Sequence, residues 1–277
     1  MSRAIHRQAG FSIISLMIAS SIGIFLIGGA GKIYLDSKNA FNARSAIATA
    51  SEGARFAVQD FRRYLVMAGR GVREQNDNAD VYNAVDDNNL RTFPAVDPDN
   101  TVAATSTGII DIDSNNSSAV AVRYTEGPSP CGQDGTINTT HTVRFYRNDQ
   151  FELVCQDIET VGGVLDTANA FEREMVSGVI TMRALYGVDT DADGVANQYL
   201  TATEVTNANR WVNVVTIRIG LVTSSDTEEL PYTYRPATED ELRVLGMEMP
   251  APNTSQSFKT ANVTIMLRNL NTTVQRQ

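Results

Sequence analysis

From Phe11 to Gly31 the chain reads FSIISLMIASSIGIFLIGGAG, without a single Asp, Glu, Lys or Arg. At about 1.5 Å per residue, a helix of that length spans about 30 Å, the thickness of a bilayer's hydrocarbon core. Ser12, Ser15, Ser20 and Ser21 can return their hydroxyls to backbone carbonyls, and Gly23, Gly28, Gly29 and Gly31 permit close helix contacts. The short segment before it carries Arg3 and Arg7 and no acid. The positive-inside bias therefore places residues 1–10 in the cytoplasm and everything after Lys32 on the far side.

A discarded secretory signal is the competing reading, with Gly28 and Ala30 as a small-residue cleavage site. Two features oppose it. The apolar run is longer than the usual signal core of about 7–15 residues, and the chain continues in helical pattern with no proline before Pro94. Ala50, Ala54, Val58, Phe61, Leu65 and Ala68 recur at spacings of three and four, which sets them on one stripe of a helix. Gly69 and Gly71 supply a stop. One long helix is expected, apolar over 11–31 and amphipathic over 32–71.

With 277 residues and 42% hydrophobic content, the chain can bury one sizeable core besides this anchor. The formal net charge is -9, and removing the basic start makes the remainder more acidic still. Nonspecific nucleic-acid binding needs Lys and Arg to neutralise phosphates, so no nucleic-acid partner is expected. Cys131 and Cys155 are the only cysteines, both beyond the apolar run. An exported domain favours joining them, which closes a loop of about 25 residues and contributes roughly 3 kcal/mol; a reducing cytosol would leave two free thiols.

After Gly71 the composition turns to Asn, Asp, Thr and Val, and the stretch through about residue 107 reads as polar loop and variable surface. Period-two alternation then appears in SAVAVRYT, in HTVRFYRNDQFELVCQ with a turn at Asn148 and Asp149, in SGVITMRALYGV, WVNVVTIRIGLVTS and TANVTIMLR. In the fourth run Val215, Ile217, Ile219 and Leu221 alternate with Thr216, Arg218 and Gly220, which predicts one buried face. The fold class is α+β: the long helix packed on an antiparallel sheet, with 72–277 as the exported domain and 224–257 as a proline-containing loop.

The stretch DTDADGVAN places carboxylates at alternate positions before a glycine. Asp189, Asp191 and Asp193 as oxygen donors, Gly194 for the turn, Val195 through its carbonyl and Asn197 match the start of a calcium loop. Leu200 stands where a bidentate Glu is expected, so Glu204 or another loop's carboxylate must complete the shell; the alternative is a solvated acidic turn. Catalytic motifs are missing. His6 precedes the apolar run, His141 is expected at an exposed strand edge, and Trp211 is expected to pack, so the chain is read as no enzyme and as requiring no cofactor.

GFSIISLMIA resembles the type IV prepilin signal, and SEGARFAVQDFRRYLVMAGR, ALYGVDTDADGVANQYL, WVNVVTIRIGLV and FKTANVTIMLRNL resemble, in order, segments of PilW-type minor pilins. Residues 72–175 show no alignable motif. The resemblance implies a leader over 1–10, cleavage after Gly10 by the prepilin peptidase and methylation of Phe11. It also implies an anchor that is retained and packs into a filament. Partners implied are other minor pilins, the major pilin and the inner-membrane assembly platform, with the C-terminal domain in the periplasm and then on the pilus. The family's usual glutamate at the fifth mature position is Ser15 here; this is either drift in a subunit whose helix docks by packing alone, or a subunit with no need to recruit a neighbour through that contact, as expected at the filament tip or in the assembly-initiating complex. Type II secretion pseudopilins share the same signal and helix, and a tip adhesin is a compatible role, whether the pilus serves twitching motility or attachment.

Overall fold

A computed structural model describes residues 12–70, 93, 109, 117–125, 127–132, 140–161, 164–225, 242–249 and 256–270. Helix α1 (Ile13–Leu65) runs 53 residues without interruption, about 80 Å at the standard rise. Ser12 caps it by accepting from the Ile14 N–H. A turn over 66–70 follows, with Gly69 at φ 79°, donating its N–H to the Arg123 carbonyl at 2.8 Å. The helix thus ends four residues before the first expected stop glycine, and the turn that follows uses that glycine's left-handed backbone.

Eight of the ten strands among the described residues form two four-stranded antiparallel sheets. The first is a meander of β1 (Val120–Thr125), β2 (Thr140–Arg147), β3 (Leu153–Val161) and β4 (Val164–Val176), in that order. The second has the order β10 (Phe258–Met266), β7 (Val214–Ser224), β5 (Val179–Val188), β6 (Gln198–Leu200). The chain passes between sheets at Ser177-Gly178, where Gly178 takes φ 71°. Backbone bonds seam the sheets: the Val179 N–H donates to Phe151 O at 2.7 Å, and the Ser118 N–H donates to Met182 O at 2.7 Å. The expected α+β class holds, with the strands divided between two sheets instead of one. Strand β4 was missed because its sequence, VLDTANAFEREMV, does not alternate apolar with polar.

Helix α1 lies against β7 and β10 and touches β4. Its contact stripe is built on Ala43, Ala46, Ala50, Ala54 and Ala57, extended by Phe61, Leu65 and Ala68, all buried. Alanine keeps helix propensity high and lets the backbone approach the sheet closely. The approach is close enough for Thr223 Oγ1 of β7 to donate to the Ala50 carbonyl at 2.7 Å. At the helix end, Asn269 Nδ2 donates to the Val66 and Ala68 carbonyls. Phe61 then meets Phe145 of β2 edge to face, centroids 5.5 Å apart, so the same stripe reaches the first sheet.

Strand β7 corrects one expectation. Thr216 and Gly220 were assigned to an open face, yet every β7 residue except Arg218 is buried. The cover comes partly from a hairpin inside the expected loop, β8 (Leu242–Val244) and β9 (Met247–Met249), turned through Leu245 and Gly246, both at positive φ. Val244 packs with Ile180 and Val222, and Leu245 and Phe258 flank that cluster. Gly220 is the notch that seats it: a Cβ there would lie 2.6 Å from Val244 Cγ1 and 2.9 Å from Leu245 Cγ. The prolines expected to shape 224–257 lie outside the described residues.

Cys131 and Cys155 form a disulfide with Cα atoms 5.5 Å apart, tying the segment after β1 to β3. Tyr124 Oη donates to Pro128 O at 2.8 Å and fixes the same segment. Gly220→Ala should cost roughly 1–3 kcal/mol by overpacking and raise amide exchange over 242–249 in the detergent-solubilised chain. Unchanged exchange there would show that the hairpin does not depend on this notch.

Candidate functional site

Two surfaces qualify as functional, and the first is the outer side of α1. None of its most apolar window is buried, and by length and composition this helix can cross a membrane. Ser15 is exposed in its first turn, while Ser20 and Ser21 donate to the carbonyls of Leu16 and Ile18, satisfying hydroxyls that lipid would leave unpaired. The Gly10–Phe11 junction lies outside the described residues. Past Lys32, at about 100° per residue, Tyr34 and Phe41 fall on the side opposite the alanine stripe, with Phe56 on its flank. Phe41 is 72% exposed and Phe56 52%. Large apolar groups outside on the amphipathic half of a helix are what periodicity alone had not singled out; the signal available was the near half-turn offset of Tyr34 and Phe41 from Ala50 and Ala57.

The second is the loop between β5 and β6. Asp189 is 5% exposed and its carboxylate organises the turn: Oδ1 accepts from the N–H groups of Asp191 at 3.2 Å and Ala192 at 2.7 Å, and Oδ2 from Gly194 at 2.7 Å. Ala192 and Gly194 both take positive φ. Burial pushes the Asp189 carboxyl upward, but the bonds from Gly194, Ala192 and Asp191 outweigh it and hold its pKa below the usual value. Asp193 Oδ1 accepts from the Val195 N–H, and Asn197 Oδ1 accepts from the Thr190 N–H and hydroxyl. One oxygen from each of Asp189, Asp191 and Asp193 lies within 4.8 Å of the others, so three of the predicted donors are brought together.

Two of the other expected donors, Glu204 and Asn197, are otherwise engaged. Leu200 ends β6, and Glu204 sits in the first turn of α2 (Ala202–Asn207). There its Oε2 accepts from the Thr201 N–H at 2.8 Å while Thr201 Oγ1 accepts from the Glu204 N–H, a reciprocal capping box. Asn197 spends its carbonyl on Thr190. Among the described residues the cluster supplies three carboxylates and no bidentate glutamate, short of the six to eight oxygens of a full calcium shell.

His141 is not at an exposed edge. It lies in β2, inside the first sheet, fully buried, with Nδ1 2.8 Å from Asp157 Oδ2 of β3, itself fully buried. The Tyr124 ring sits 5.3 Å from the imidazole, and burial first, then the Asp157 carboxylate, holds its phenol well above the usual pKa. Alternation placed these residues on a strand but carried no sign that both faces of β2 are covered. Trp211 packs as expected: it is buried against Tyr186 and Phe93, and its Nε1 donates to Thr206 Oγ1. Phe93 is the one described residue of the polar 72–107 stretch, and it belongs to the core.

Residues 140–269 match the model of a family described as type IV pilus-assembly protein W. The resemblance read from the sequence is borne out over that span, which begins within the stretch where no motif was legible. Among solved structures, the chain is similar to a type IV-like pilin from Thermus thermophilus at 11% identity and a TM-score of 0.44, covering 79% of this chain and 96% of that one. No curated protein matches.

The Asp189 carboxyl has a lowered pKa in the folded chain, so the stability it contributes is present above the unfolded value of about 3.9 and is lost as pH falls through the lower folded value. Thermal melts of the native chain and Asp189→Ala should differ most above about pH 5, with the variant weaker by roughly 1–3 kcal/mol through unpaired N–H groups, and converge in acid. A gap that persists unchanged at pH 2 would assign the loss to packing alone.

Proposed function

We propose that this chain is a minor pilin of a type IV pilus, held in the inner membrane by the first half of α1 and drawn into the filament through that same helix. A pilin role in pilus assembly is supported by the family match over 140–269 and by the long helix packed on antiparallel sheets. The observation that carries the reading is the one-sided burial of α1. Its alanine stripe is consumed by its own sheet, and its apolar first half and the Tyr34, Phe41 and Phe56 side remain open. An apolar surface of that length is costly in water and stable in lipid or against other helices.

Assembly on this reading is packing and not chemistry. Cleavage after Gly10 leaves Phe11 at the start of a helix that loses its lipid contacts as it gains contacts with neighbouring subunits. Ser15 offers no carboxylate to pair with a neighbour's terminal amine, which suits a subunit at or near the tip, where no further subunit is recruited above it. The Asp189–Asp191–Asp193 loop is a calcium site on this proposal only if a neighbouring subunit or solvent completes its oxygen shell, since Glu204 is held in its cap.

Intact-mass measurement of the natural product should give a chain beginning at Phe11 and carrying one methyl group; a start beyond Ala30 would remove the helix on which the proposal stands. Phe41→Ser with Phe56→Ser should change folding stability by no more than about 0.5 kcal/mol per site, yet reduce recovery in sheared pili at least several-fold. Equal recovery would detach this face from assembly. Ser15→Glu should leave pilus number unchanged or redistribute the subunit along the fibre, whereas a large gain in piliation would mark Ser15 as a defect. Calorimetry with calcium should show binding no tighter than millimolar for the isolated chain, abolished by Asp191→Asn, and heat at micromolar calcium would require donors this loop lacks.

A further inference from the structure

We draw no further inference here: the strongest candidate, the fully buried His141–Asp157 pair between β2 and β3, leaves His141 Nε2 and Asp157 Oδ1 without hydrogen-bond partners among the described residues, but nothing there shows what would bind.

Discussion

The contact between the alanine stripe of α1 and strands β7 and β10 sets the rest of the architecture. A 53-residue helix cannot be stabilised by propensity alone along its whole length in water. Alanines at 43, 46, 50, 54 and 57 bring the helix axis close to the sheet, close enough that a β7 threonine reaches a helix carbonyl. From there Phe61 extends the stripe onto the first sheet, so one helical face organises both. Among the described residues the first half of the helix has no such partner, and an apolar surface of that kind is costly in water and stable in lipid or against other helices.

The rest of the domain meets a different problem: polar and charged groups on strands that are covered on both sides. The solutions are local and specific. Ser117 and Ser118 close the edge of β5, the hydroxyl of Ser117 accepting from the Met182 N–H and that of Ser118 from the Ala184 N–H. Arg123 Nε donates to Thr142 Oγ1 across the strand pair. His141 and Asp157 pair in the core, where removing one partner would leave the other buried and uncompensated, the usual reason such pairs are costly to break. In the acidic loop, Asp189 is satisfied by backbone N–H groups, so the turn is shaped by a carboxylate acting as a backbone acceptor.

The legible part of this molecule was the part governed by short-range pattern. The charge-free run and the spacing of Ala50, Ala54 and Phe61 gave the helix, strict alternation gave β2, β3, β5, β7 and β10, and Asn148 gave the turn that it organises by accepting from the Gln150 and Glu152 N–H groups. The three aspartates were legible as a cluster for the same reason. Misplaced features share the opposite property. His141, Thr216 and Gly220 each sit on a strand in the expected place, and what decides their burial is a segment distant in sequence. Glu204 was assigned to the acidic cluster because it is near in sequence, but the Thr201 cap three residues before it claims its carboxylate.

By itself, then, the amino-acid sequence determined that this chain has an apolar rod too long to discard lightly, an amphipathic continuation of it and an alternating, acidic C-terminal part that folds as strands. These follow from periodicity and from the cost of exposing apolar groups or burying charges, which act residue by residue. Only the tertiary structure decided that the strands split into two sheets at Gly178, that a hairpin closes over Gly220, and that the aromatic side of α1 is left open. Those outcomes depend on which distant surfaces fit together, and complementarity of shape between segments leaves no periodic trace in either one.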